Sequence, residues 1–241
     1  MKRVPTTLTL AVLGALALAP GAGAAVVEMG ATTPRPGASC PDNCQAIGRV
    51  TGYQAGQAGR RSPFRARRRG KIVAFSLQLG RPRADQIDYF DRLFGGPPQA
   101  RLSVLRPGPR RRNVLSGQSE LFALRPYFGS TPTFALERPL TVKKDYLVAV
   151  TVPTWAPAFG VGLANEEAWR SSRDAERCDD VRQTAAQQRR GSLRTYGCLY
   201  RTARLLYTAS FVPDPRPTED AADPAPATPA PGTPPAATPP R

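Results

Sequence analysis

Histidine is absent from this chain of 241 residues, lysine is scarce, and there are only two tryptophans and four cysteines. Without histidine, the chain cannot assemble a Ser-His-Asp or Cys-His catalytic mechanism or a histidine-ligated metal centre. The CxxxC spacing of Cys40 and Cys44 lacks the further ligands that a zinc site needs. The sequence therefore predicts no metal site and no cofactor, and it favours a protein that is not an enzyme.

Long apolar runs are also lacking, apart from one near the N-terminus. Met1–Arg3 is positively charged, Leu8–Leu18 is a short apolar run, and Ala22–Ala24 matches the small-residue cleavage pattern of a secretory signal peptide. We predict a signal peptide over residues 1–24. The run is shorter than the ~20 residues that span a bilayer, so no transmembrane segment is predicted. The mature protein is expected to be secreted and extracellular, with cell-wall association left open.

Export places the four cysteines in an oxidising compartment, where disulfides are expected. Three pairings are possible. We favour Cys40 with Cys44, because the intervening Pro-Asp-Asn needs only a tight turn. The second predicted bond is Cys178 with Cys198, which would close a long polar loop that has no strand pattern.

Composition divides the mature chain into three parts. Residues 25–39 are predicted to be a disordered lead, and residues 40–212 have the length of one domain. Residues 213–241 consist mainly of proline, alanine and threonine and offer few apolar side chains to bury. We therefore expect a disordered, polyproline-like tail.

The stretch Thr141–Leu163 is the clearest candidate for the centre of this domain. Apolar residues alternate through Tyr146–Val152, which is typical of a strand with one buried face. We expect Pro153–Pro157 to form a rigid turn and Phe159–Leu163 to form the second strand of a hairpin.

Several further segments share the period of two. The clearest is Lys71–Leu79, in which Val73, Phe75, Leu77 and Leu79 lie on the predicted inner face. The other candidate strands are 46–54, at a sheet edge, 100–106, 113–116, 119–124, 133–136 and 198–212.

One segment changes period. Apolar residues in 84–94 recur every three to four positions and Gly95 follows as a stop signal, which predicts a short amphipathic helix. Its polar side would carry Asp85, Asp88 and Asp91. Such a spacing can suggest calcium, but the looped oxygen cage of a calcium site is missing, and we favour a solvated helix face.

These elements together define a fold class. Strand follows strand with glycine and proline turns between them, and helical periodicity is confined to one short segment. The predicted fold is all-β: a two-layer, jelly-roll-like β-sandwich with one short helix near residues 84–94 and a long disulfide-bounded loop.

The domain contains four distinctive phrases: CPDNCQAIGRVTGYQ, GKIVAFSLQLG, the long segment from Leu124 to Leu163, and CLYRTARLLY. Together they resemble a group of uncharacterised exported proteins of GC-rich Gram-positive bacteria. The resemblance covers most of residues 40–212. It implies a jelly-roll-like sandwich and carries no catalytic or binding residue across.

The charge is strongly positive, at +16, and the arginines cluster in Arg60–Arg69 and Arg110–Arg112. An exported protein with this excess should be drawn to anionic partners such as cell-wall phosphate polymers, acidic lipids or extracellular nucleic acid. A GC-rich genome, whose codons favour arginine, is an alternative explanation. Aromatic interleaving and a nucleic-acid-binding motif are missing, so no specific nucleic-acid partner is predicted.

Aromatic residues supply the candidate ligand-binding positions. Trp155, at the predicted loop tip, would offer a flat platform to a sugar ring or a hydrophobic partner, with Trp169, Tyr127 and Tyr53 as candidate neighbours. The alternative is that Trp155 caps the end of the sandwich core.

Three functions remain open. The favoured one is a secreted, non-catalytic binding or envelope-associated module whose ligand is an anionic wall polymer or a glycan. The second is a glycan-active hydrolase that uses a carboxylate pair drawn from Glu166 or Glu167 and Asp88 or Asp91. The third is a purely structural exported domain. The sequence predicts neither the oligomeric state nor the identity of the ligand.

Overall fold

A computed structural model describes residues 25–215 of the protein. The predicted signal peptide and residues 216–241 of the predicted tail lie outside this range. Within it, the chain forms one helix, α1 (Ala84–Phe94), and fifteen strands. The strands are β1 (Val27–Met29), β2 (Ile47–Gln57), β3 (Arg60–Arg61), β4 (Gly70–Leu77), β5 (Gln99–Pro107), β6 (Arg112–Gln118), β7 (Phe122–Ala123), β8 (Thr133–Val142), β9 (Leu147–Ala156), β10 (Phe159–Val161), β11 (Ala168–Ser171), β12 (Leu193–Thr195), β13 (Cys198–Arg201), β14 (Ala203–Leu205) and β15 (Tyr207–Pro213).

Two antiparallel sheets form the body of the protein. The smaller sheet has the order β1-β15-β4-β8. The larger has the order β12-β6-β5-β9-β2-β11-β13, with β3 beside β2 and β7 beside β5, and β10 pairs separately with β14. The predicted all-β, two-layer sandwich with one short helix is confirmed.

The main core lies between these two sheets. Phe75 and Leu77 of the small sheet and Leu102 and Val150 of the large sheet belong to one buried cluster. A direct polar contact also joins the layers, because the Tyr207 hydroxyl of β15 donates to the backbone carbonyl of β9 over 3.0 Å. Alternate residues along each strand thus supply one shared apolar interior.

The central strand β9 is longer than predicted, and the expected rigid turn at Pro153–Pro157 is wrong. The strand continues through Pro153 to Ala156. Its pairing with β5 ends at Thr151, and its pairing with β2 is interrupted by a bulge in β9, where Pro153 and Thr154 lie opposite the single residue Arg49. Proline, which has no amide hydrogen to donate, is tolerated where the ladder is already interrupted.

Strand β2 lies at the centre of the large sheet, whereas the weak alternation of residues 46–54 predicted a sheet edge. It pairs with β9 on one side and β11 on the other. Both faces of this strand are buried, so the apolar alternation that marks a half-exposed strand is weak.

A bulge in β4 changes one predicted core position. In the pairing with β15, Ile72 and Ala74 lie opposite the consecutive residues Phe211 and Ser210, so Val73 is an extra residue in β4. Because an extra residue inverts the alternation of faces, Ile72 is fully buried while Val73 is only half-buried. Phe75, Leu77 and Leu79 are buried as predicted.

The predicted disordered lead, residues 25–39, is part of the fold. Strand β1 pairs with β15 along the edge of the small sheet, and Met29 is buried. The carbonyl of Gly30 accepts hydrogen bonds from Gln57 and Arg204, at 2.5 and 3.0 Å. These contacts fix the lead against the sandwich although its sequence has little apolar periodicity.

Both predicted disulfides, Cys40–Cys44 and Cys178–Cys198, are present. The segment between Cys178 and Cys198 lies across the outer face of the large sheet. There the backbone amide of Gln187 donates to the Thr51 hydroxyl, and the Tyr196 hydroxyl donates to the side-chain oxygen of Gln187. Consequently β9 is buried on both faces, whereas the sequence predicted one.

Candidate functional site

The four aromatic residues predicted as a ligand platform do not come together. Trp155 packs beneath α1, Tyr127 lies against Phe134, Trp169 stacks on Tyr200, and Tyr53 faces Tyr196 on the outer side of the large sheet. They therefore belong to different regions, and each has to be judged by its own surroundings.

Trp155 is fully buried, so it offers no platform to a ligand. Its ring lies 5.0 Å from that of Phe90 and 5.7 Å from that of Phe128, and its indole nitrogen donates to Asp91 over 2.8 Å. The alternative prediction, that Trp155 caps the core, describes its position. Its place in a continuous strand, rather than at a loop tip, is the physical reason.

Tyr127 is the one predicted aromatic with a largely exposed side chain, at 42% of its maximum. Its ring meets Phe134 edge-on at 5.3 Å. A single exposed ring that already packs on a core residue is ordinary surface structure. We do not build a site on it.

Tyr53 marks a place that one arginine from each cluster approaches. Arg170 of β11 is its direct cross-strand neighbour, and its ring lies 5.4 Å from that of Tyr196. The Arg170 guanidinium donates to the carbonyls of Tyr196 and Gly197 at 3.4 and 3.3 Å. This half-buried arginine is thus held across the outer face of the large sheet.

Each cluster contributes one arginine to this region. The backbone of Arg65, from the first cluster, forms an isolated antiparallel β-bridge with Leu147 of β9. The backbone carbonyl of Arg111, from the second cluster, accepts a hydrogen bond from the backbone amide of Tyr196 over 3.0 Å. Arg201 follows on β13, beside β11. We call these four residues, Arg65, Arg111, Arg170 and Arg201, the outer-face arginine patch.

The charges of the patch act on each other and on Tyr53. Burial raises the pKa of Tyr53, while the guanidinium groups of Arg170, Arg65 and Arg111 oppose that rise. Burial lowers the pKa of Arg170, and Arg111 and Arg201 lower it further. Mutual repulsion of this kind indicates closely grouped cations, which attract a multivalent anion.

The turn that carries the second cluster is conformationally unusual. Arg110 and Arg111 both have left-handed backbone angles, with φ of 51° and 60°. Such angles are uncommon for residues other than glycine. The turn closes through the Gly108 amide, which donates to the Arg112 carbonyl over 2.7 Å, and the side chains of Arg110 and Arg111 are exposed.

A groove lies between the two disulfides. One part, of about 480 Å³, is lined by Trp169, Tyr200 and Arg173, and the adjoining part, of about 500 Å³, by α1. The two parts share Gln45, Ala46 and Val181 as lining residues, so they adjoin each other. We call this feature the disulfide groove. Its size is that of a small-molecule site.

The carboxylates predicted for a hydrolase are placed apart. Glu167 is buried and pairs with Arg204 at 3.9 Å, whereas Asp91 holds Trp155. Asp88 and Glu166 are exposed. No pair drawn from these four residues is supported by a shared cleft.

A different carboxylate pair does share a groove. Glu120 and Glu137 line a polar groove of about 810 Å³ between β6 and β8, and Glu120 accepts the Glu137 amide hydrogen over 3.0 Å. Nothing in the sequence associates them, because Glu120 lies in the connection between β6 and β7, Glu137 lies on β8, and neither belongs to a motif.

Comparison with known proteins adds no assignment. No family model, curated protein or solved structure matches this chain. Within residues 25–215, no group of three or more acidic, cysteine or histidine side chains is arranged to hold a metal ion, and no helix is long and apolar enough to cross a membrane.

Proposed function

We propose that this protein is a secreted, non-catalytic binding module whose ligand is an anionic polymer of the cell envelope. The observation that carries the proposal is that Arg65 from the first cluster and Arg111 from the second lie near Tyr53, together with Arg170. Residues more than a hundred positions apart in sequence supply one cationic surface. Codon bias would enrich arginine along the whole chain, but it provides no reason for this grouping.

The chemistry of the patch suits repeated phosphate or carboxylate groups. Guanidinium groups bind both through paired N–H donors and remain charged at any physiological pH. In the patch, Arg65 has an ion-pair partner, Asp145, at a distance of 3.8 Å with both side chains well exposed. A contact of this kind is weak and easily exchanged for a ligand.

The direct test measures binding of the full mature chain to sodium polyphosphate and to polygalacturonate, with neutral dextran as control. We expect both anionic polymers to bind and dextran not to bind. Replacing Arg111 and Arg170 together by glutamine should weaken binding at least tenfold. Replacing Arg92 and Arg138, two exposed arginines outside the patch, is the charge-matched control. Equal losses in both double variants would overturn the proposed site.

A second candidate function, glycan hydrolysis, is favoured only by Glu120 and Glu137 in their shared groove. Two carboxylates flanking a bound sugar can act as acid and base or nucleophile. Release of reducing ends from polygalacturonate or cell-wall glycan would support it, provided that Glu120→Gln and Glu137→Gln each abolish the release. Absence of release with the unaltered protein would dismiss it.

A further inference from the structure

The disulfide groove contains a buried cation without an ionic partner. Arg173 is 6% exposed, and it forms no ion pair within residues 25–215. Its guanidinium donates to the Tyr200 hydroxyl at 3.0 Å and to the carbonyls of Cys178 and Gly48 at 3.4 Å. These acceptors are neutral, and a buried charge is normally paired.

Two buried N–H donors at this end of the groove, one of them in Arg173 itself, also lack acceptors. The indole nitrogen of Trp169 and the Nε of Arg173 have no hydrogen-bond partner among the described residues, and both side chains line the groove. Trp169 is 3% exposed and stacks on Tyr200 at 4.5 Å. Buried donors are rarely left unpaired in native proteins. This end of the groove is therefore suited to an acceptor-rich anionic group.

The other end of the groove has the opposite character. Phe90, Leu93 and Phe94 of α1 line it together with Ala46 and two exposed side chains, Tyr89 and Val181. Tyr89 is 54% exposed and Val181 is 44% exposed. Large apolar side chains grouped around a groove often mark a binding surface.

We propose that the disulfide groove binds an amphiphilic carboxylate, with the carboxylate at Arg173 and Trp169 and the alkyl chain along α1. Charge complementarity selects the head group, and the apolar lining selects the chain. The carboxylate of Asp179 also lines the cationic end, but it is exposed. The nearby Asp180 is paired with Arg177, whose hydrogen bond lowers the pKa of that carboxyl, and the charge of Arg173 makes a smaller contribution in the same direction. Arg201 of the outer-face arginine patch also lines this end of the groove, whereas Arg111 and Arg170 do not.

Calorimetric titration of the full mature chain with sodium decanoate, in salt high enough to screen the surface charge, provides the test. We expect decanoate to bind in a one-to-one ratio and decanol, which lacks the carboxylate, to bind at least tenfold more weakly. Shortening the chain should weaken binding about fourfold for each methylene removed. Glucuronate, an acidic sugar, should not bind. Absence of decanoate binding, or glucuronate binding in its place, would overturn the proposal.

Two variants test the position of the ligand. Arg173→Gln should weaken decanoate binding at least tenfold. Because that change could also disturb the loop carbonyls, Val181→Glu provides a second probe: it places a negative charge at the exposed junction of the groove and should abolish binding, whereas Val181→Thr should retain it. The Arg111→Gln, Arg170→Gln double variant should bind decanoate like the unaltered protein. Loss of binding in that variant would instead assign the carboxylate to the surface patch.

Discussion

Trp155 and Asp91 are joined by a hydrogen bond that fastens the helix to the sandwich. The indole nitrogen donates to a carboxylate oxygen over 2.8 Å, and the indole itself is fully buried. Asp91 also accepts a hydrogen bond from Arg125. Asp91 lies on the face of α1 that was predicted to be solvated, but it makes a structural contact.

Replacement of Asp91 by alanine should destabilise the protein by about 1–3 kcal/mol, because it leaves the buried indole N–H without an acceptor. The free energy of unfolding, measured in urea, checks this. Asp88→Ala is the matched control, since Asp88 is exposed on the same helix, and it should change stability by less than about 0.5 kcal/mol. Equal effects of the two changes would contradict the assigned role of Asp91.

The two disulfides should contribute unequally to stability. Cys178–Cys198 closes a loop with a sequence separation of 20, whereas Cys40–Cys44 has a separation of 4. On the chain-entropy model, replacing Cys178 and Cys198 by serine should cost about 3 kcal/mol, and replacing Cys40 and Cys44 about 2 kcal/mol.

Urea unfolding of the two double-serine variants measures the difference. The loss of Cys178–Cys198 should also speed hydrogen exchange at the Gln187 amide, which donates to Thr51 beneath the loop. Unchanged exchange at that amide would mean that the loop covers the sheet without help from its disulfide.

Alkaline pH should unfold the protein through its buried tyrosines. Burial raises the pKa of Tyr53, and it raises the pKa of Tyr196 and Tyr207 well above 10. A pKa raised in the folded state means that folding favours the protonated phenol. The stabilisation is therefore complete below about pH 10, where unfolded tyrosine ionises, and it is lost as the pH rises above that value.

Absorbance of the tyrosinate anion and circular dichroism, followed together from pH 8 to 13, test this. These three tyrosines should ionise in the same step in which the fold is lost. Ionisation of all seven tyrosines near pH 10 with the circular dichroism unchanged would show that Tyr196 and Tyr207 are accessible to solvent.

Sequence patterns predicted the elements that bury one face and expose the other, because such elements have a clear hydrophobic period. The helix at residues 84–94 has the predicted bounds, because Phe90 and Phe94 are buried while the opposite side is mostly wet. The strand around Phe75 was found for the same reason. Cysteine spacing was equally informative, since each predicted bond joins segments that the fold brings together.

Other features depend on contacts distant in sequence. Trp155 was placed at a loop tip because Pro153 suggests a turn, yet β9 continues through a bulge in which Pro153 and Thr154 lie opposite Arg49 of β2. The lead has little apolar pattern of its own, so the sequence predicted disorder. In the structure its order depends on hydrogen bonds from Gln57 and Arg204. The proximity of Arg65 and Arg111 to Tyr53 follows from strand order, which composition does not encode.

The salt dependence of polyphosphate binding tests the central claim, that the outer-face arginine patch holds an anionic polymer, most directly. Counterion release on a single-stranded polyanion predicts that the logarithm of the association constant falls against the logarithm of NaCl concentration with a slope of about −0.7 per arginine engaged. Four arginines should give a slope near −3, by the same scale. The Arg111→Gln, Arg170→Gln variant should halve that slope, and the Arg92→Gln, Arg138→Gln control should leave it unchanged. An identical slope in the patch variant and the control would contradict the account.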